Sequence, residues 1–168
     1  MKTSPVLFCL ILEFASSRGP APIAPRARVD GGIVEGTYFD ARASDVAFKG
    51  IPFAAPPIGN LRWKPPAPVR AWRSVRDAKA FAPICPQRLY SPEFYAGLAT
   101  RLGGHPSPEE PLTTSEDCLY LNIWTSNFGG KEQRPVMVWI HGGGNNGGWG
   151  TEGTDSGESL ARQGVVLV

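Results

Sequence analysis

No run of apolar residues in this 168-residue sequence approaches the ~20 that a helix needs to cross a bilayer. Charge of one sign is also scarce: 17 Lys and Arg stand against 15 Asp and Glu, a net charge of +2. These charges are scattered, with no basic block to track a phosphate backbone, so nucleic acid is not an expected partner. Cys85 and Cys118 without a nearby histidine make no metal site. No internal repeat is apparent. Glycine and proline, in contrast, are abundant at 20 and 17 residues, and they argue against a helical bundle. Apolar residues at 42% and charged residues at 19% suffice for one hydrophobic core and exclude a disordered tail.

Both ends carry expectations. Lys2, the apolar residues 6–12 (VLFCLIL) and the small residues Ala15, Ser16 and Ser17 follow the order of a secretory signal. Residues 1–17 are read as a signal peptide and 18–30 as a Pro/Arg-rich linker, which points to a secreted or periplasmic protein. Removal of Cys9 with the leader leaves Cys85 and Cys118, which in an exported protein would close one disulfide loop worth about 3–4 kcal/mol. In a reducing compartment the alternative is two unrelated buried thiols. The last five residues, GVVLV, read as a buried strand without cap or polar tail, so the chain is expected to be part of something longer.

Between the ends, residues 33–39 and 45–49 predict a small peripheral antiparallel hairpin. The prolines of 50–68 exclude helix or central strand there, and 72–81 is read as a helical turn or two. Residues 119–125 (LYLNIWT) and 135–141 (PVMVWIH) predict strands, the second apolar on both faces as in a covered sheet. Thr154 or Asp155 would cap a helix ending at Gly164, before a strand over 165–168. Strand, Gly-rich loop, helix and strand together make one crossover of a mixed α/β sheet.

The chemistry lies in Trp139-Ile140-His141-Gly142-Gly143-Gly144. Glycines at a strand end can bring bare N–H donors to a ligand, as a developing oxyanion requires, and HGGG after a strand is the oxyanion-hole pattern of α/β-hydrolase esterases. A plain glycine turn is the alternative. Residues 142–150 (GGGNNGGWG) lack the Lys-Ser/Thr ending of a phosphate loop.

Further strings accompany the motif: FKGIPFA at 48–54, PPIG at 56–59, Leu61-Arg62-Trp63, and SEDCLYLNIW at 115–124. With residues 135–144 they resemble, in order and spacing, the type B carboxylesterase family, which includes the cholinesterases. The match covers 31–168, read as the N-terminal portion of such a domain. The resemblance implies an α/β-hydrolase fold, with a mixed, mostly parallel sheet and a small N-terminal antiparallel hairpin. It implies hydrolysis of small-molecule carboxylic esters by a Ser-Glu/Asp-His triad through an acyl-enzyme, with no metal or organic cofactor. It further implies that Cys85 and Cys118 form a disulfide, that Arg62 and Glu116 form a buried ion pair, and that the amides of Gly143 and Gly144 hold the oxyanion while Gly142 shapes the turn.

Departures from the family pattern matter too. His141 is read as structural, because the catalytic histidine of this fold comes late in chain order. Asn145 and Asn146 replace an aromatic, and the loop between the cysteines offers Tyr90, Phe94 and Tyr95 but no tryptophan, so quaternary-ammonium specificity is not expected. Gly157-Glu158-Ser159-Leu160-Ala161 imitates a nucleophile elbow but has Ala161 in place of the second glycine and no strand before it. His105 is a lone loop histidine. Nucleophile, acid and base are thus expected to be missing, and the 168 residues alone to be inactive. The rival expectations are a non-catalytic adhesion or binding member of the same fold, and an inactive remnant.

Overall fold

The computed structural model describes residues 22–40, 44–87, 97–98, 100–103, 113–150 and 157–168. The expected signal segment 1–17, Tyr90, Phe94, Tyr95, His105, Thr154 and Asp155 lie outside the described residues.

Two sequence-distant strands organise the fold. β4 (Val46–Pro52) and β6 (Tyr120–Thr125) are rich in β-branched and aromatic residues and pair antiparallel, Ala47 opposite Trp124 and Phe48 opposite Ile123. The register shifts between Phe48 and Ile51. Gly50 sits in that bulge at φ +67°, and its N–H donates to Asn122 Oδ1 at 3.0 Å. The bulge has a packing consequence. Successive residues of a strand face opposite sides, and one irregular step lets Ile51 return to the face already used by Val46 and Phe48. That face buries Val46, Phe48 and Ile51 against Val34 and Ala78. The opposite face buries Ala47 and Trp124 with Ala161 and Leu167.

The first core is closed by a small sheet of β1 (Arg26–Val29), β2 (Gly32–Glu35) and β5 (Arg76–Asp77), in the order β1-β2-β5. β1 and β2 are antiparallel and β2 and β5 parallel. At Gly36 the chain leaves this sheet for β3 (Thr37–Tyr38), passing so close to β4 that any side chain would strike the Ala47 carbonyl. β3 starts the five-stranded sheet, ordered β3-β4-β6-β8-β7, with β7 at Val136–Met137 and β8 at Val166–Leu167. Pairing is antiparallel from β3 to β8 and parallel between β7 and β8. The short helix α1 (Glu158–Ala161) makes the crossover between them, and Gly164 ends it at φ +91°.

Several expectations need correction. The hairpin partner β4 is an inner, largely buried strand, not a peripheral one, and it runs through Ile51 to Pro52 into the proline-rich stretch. Part of the expected linker forms β1. Residues 72–81 hold β5 where helical turns were expected. The Trp72 ring lies against Gly31 and Gly32 and its indole N–H donates to the Ile33 carbonyl at 2.9 Å, which keeps the chain extended. The strand expected over 135–141 is regular only at Val136–Met137 and stands at the sheet edge, with Val136 63% and Ile140 83% exposed. A two-faced apolar strand needs cover on both sides, and the described residues do not provide it.

Two outcomes follow from this packing. Trp124 is 4% exposed and wedged against Gly157, so Trp124→Ala should lower unfolding stability by about 3–5 kcal/mol, read as a lower urea midpoint. Glu35 joins Lys79 and Arg26, whose hydrogen bonds, Lys79's foremost, hold its carboxyl below the ordinary glutamate range. That contribution is present above the unfolded-state pKa and is lost as pH falls through the lowered folded value. The urea midpoint of Glu35→Gln should therefore fall less steeply than that of the parent chain between about pH 5 and about pH 2.

Candidate active site

The ladder of β7 and β8 continues for one step past the regular strands: the Val168 N–H donates to the Met137 carbonyl at 2.9 Å and the Trp139 N–H to the Val168 carbonyl at 2.8 Å. Beyond this the chain leaves the sheet at the carboxyl end of β7, where parallel strands of α/β proteins place their ligands. His141 and the three glycines occupy that position.

The loop is folded on itself. Gly143 stands at φ +116°, Gly144 at +60°, Asn145 at +60° and Gly148 at +101°. These are left-handed conformations that glycine adopts freely and asparagine tolerates. The Asn146 N–H donates to the Gly143 carbonyl at 3.0 Å, and Asn146 Nδ2 donates to the Gly144 carbonyl at 3.1 Å. A Cβ on Gly143 would overlap the Gly147 carbonyl, and one on Gly148 would strike the Gly142 carbonyl and the His141 ring. Residues 141–143 and 147–148 thus lie back to back. Gly142, expected to shape the turn, has neither a left-handed φ nor a neighbour within 4 Å of an added Cβ. The steric demand falls on Gly143 and Gly148 instead.

Among the described residues, no acceptor takes a hydrogen bond from the amide of Gly143 or Gly144. Both glycines are exposed. His141 Nδ1 lies 2.8 Å from the Gly142 carbonyl. Since a carbonyl only accepts, that contact requires the proton on Nδ1.

Two amide side chains moor the loop. The Gly148 N–H donates to Gln87 Oε1 at 2.6 Å, while Gln87 Nε2 donates to the Gly148 carbonyl at 3.0 Å and to the Cys85 carbonyl at 3.2 Å. Asn122, whose Oδ1 serves the Gly50 bulge, donates through Nδ2 to the Gly150 carbonyl at 3.4 Å. The Cys85–Cys118 disulfide is formed, with Cα atoms 5.0 Å apart. Gln87 carries no pattern in the sequence, and Asn122 is part of the 115–124 string without any sign there of a role in holding the loop.

A cavity of about 720 Å³ lies beside the loop, lined among others by Phe53, Gln87, Tyr120, Trp124, Trp139 and His141. Asn145 and Asn146 supply a polar part of its wall, whereas Gly142, Gly143 and Gly144 do not line it. Burial first, and the nearby Asp117 second, push the Tyr120 hydroxyl pKa up, so it stays protonated. Among the described residues, no cluster of three or more His, Cys, Asp or Glu could hold a metal ion.

Arg62 Nη2 lies 2.6 Å from Glu116 Oε1, but the side chains are 50% and 43% exposed. The pair is on the surface rather than buried, where such bridges contribute about 0–1 kcal/mol. Ser159 lies exposed within α1, and Gly157 before it is helical at φ −75°, so no strand-turn-helix elbow is formed.

The carboxylesterase family model matches residues 24–168. The chain is 47% identical over 139 residues to a fumonisin B1 esterase of Sphingopyxis macrogoltabida, covering 82% of this chain and 22% of that protein. It is 38% identical over 168 residues to the pyrethroid hydrolase Ces2e of Rattus norvegicus, covering 97% of this chain and 28% of the relative. A solved PNB esterase superposes with a TM-score of 0.70 at 36% identity over 86% of this chain and 27% of its own, and a thermophilic PNB esterase with 0.69 at 35% identity over the same shares. The chain therefore spans about a quarter of the length of the relatives it matches. A match over residues 24–168, together with this likeness in sequence and in an α/β-hydrolase fold, means that the chain belongs to the carboxylesterase family.

Proposed function

We propose that this chain supplies the oxyanion-stabilising part of a carboxylic ester hydrolase that acts through an acyl-enzyme on a serine. The observation that carries the reading is the glycine loop at the carboxyl end of β7, with the Gly143 and Gly144 amides unengaged among the described residues. Attack on an ester carbonyl moves charge onto its oxygen, and preorganised N–H donors stabilise that charge without reorganising during the reaction. His141 precedes any serine and acid of the triad, whereas the catalytic histidine of this fold comes last in chain order, which supports a structural part for it beside the Gly142 carbonyl. The reading assigns serine, acid and catalytic histidine to residues outside those described.

The substrate is a small carboxylic ester, and Asn145 and Asn146 favour a polar group on their side of the cavity. The disulfide supports an oxidising compartment, secreted or periplasmic.

Turnover of p-nitrophenyl acetate by the full gene product tests the reading, with labelling of one serine by a phosphonate. The 168-residue segment alone should do neither. An inactive full product would sink the proposal, as would labelling of Ser159 in the segment. Gly143→Ala places a methyl group against the Gly147 carbonyl and should reduce kcat on the order of 10²-fold, the scale of losing one oxyanion donor.

A further inference from the structure

We propose that Gln87 is the positioning residue of the glycine loop, transmitting the anchorage of the Cys85–Cys118 disulfide to the backbone that presents the Gly143 and Gly144 amides. The kinetic part of this proposal rests on the esterase reading; the structural part does not.

A glutamine side chain carries a donor and an acceptor on one planar group, so it can face the N–H and C=O of one residue as a neighbouring strand would. Gln87 does this to Gly148, giving through Nε2 and accepting through Oε1, at 3.0 and 2.6 Å. Its second Nε2 proton goes to the Cys85 carbonyl at 3.2 Å, which orients the amide plane and leaves one assignment of its oxygen and nitrogen. The partners are 61 residues apart, so no local turn would bring them together.

From Gly148 the constraint passes on by contact. Gly148 is packed against the Gly142 carbonyl and the His141 ring, and Gly143 against the Gly147 carbonyl, each too closely for a side chain. Motion of 147–148 therefore moves 141–143. At the other end, Gln87 lies two residues from Cys85, which is covalently held to Cys118 at the entry to β6. The route from covalent anchor to amide donors runs Cys85, Gln87, Gly148, Gly142, Gly143. Asn122 holds only the far end of the loop, through Gly150 at 3.4 Å.

The test compares Gln87→Ala, Gln87→Glu and the parent protein, all with the disulfide intact. Exchange of the hydrogen-bonded loop amides, Asn146 as well as Gly148, should accelerate about ten-fold or more in Gln87→Ala, while β4 and β6 keep the parent rates and so report an intact fold. Gln87→Glu discriminates further. A protonated carboxyl repeats the donor-acceptor pair, whereas the ionised form faces two carbonyl oxygens. Protection, corrected for intrinsic exchange, should match the parent below about pH 4 and be lost above about pH 5. In the full gene product Gln87→Ala should lower kcat about ten-fold with KM within about two-fold, because displaced donors weaken the transition state more than the ground state. Parent-like exchange in Gln87→Ala, or a Glu variant without pH dependence, would overturn the proposal. Faster exchange with unchanged kcat would overturn its catalytic part. An inactive parent would contradict the esterase reading alone, and the exchange result would then decide the structural role of Gln87.

Discussion

The antiparallel pairing of β4 with β6 is the constraint on which the other features depend. It joins residues about seventy positions apart, and each of its two faces starts a core. The Gly50 bulge lets Phe48 and Ile51 share one face, and Asn122 closes the gap the bulge leaves. Remove the pairing, and the β1-β2-β5 sheet has nothing to cover, Trp124 loses its socket, and β8 loses the strand beside it.

From this base the site is reached in two steps. Trp124 stands opposite Leu167, so β6 sets the position of β8, and β8 sets β7 by parallel pairing. The glycine loop then begins at the end of β7. Asn122, in the middle of β6, also reaches Gly150 at the other end of that loop. The same strand thus anchors both approaches to the site, and Gln87 adds a tie from the disulfide side.

Much of this was legible in the sequence, for identifiable reasons. Strands at 119–125 and 165–168 show apolar patterns that mark buried strands, and HGGG at a strand end marks an exposed backbone turn. The pattern of 135–141 speaks of cover on both faces, and β7 stands exposed because the described residues do not supply that cover. Residues 72–81 contain good helix formers, yet Trp72 against Gly31 and Gly32 prevails, since burying an aromatic outweighs weak propensities. Gly142 and Gly143 look alike in sequence. Only the back-to-back approach of Gly147 and Gly148 distinguishes the position that must lack a side chain.

On the proposed reading, the Gly143 and Gly144 amides face a developing oxyanion. The most direct measurement is a crystal structure of the full gene product after reaction with a serine-directed phosphonate. The phosphoryl oxygen should lie about 2.7–3.1 Å from both amide nitrogens, the distance that stabilises an oxyanion. A phosphonate held on its serine with that oxygen turned away from this loop would contradict an oxyanion role for the two amides.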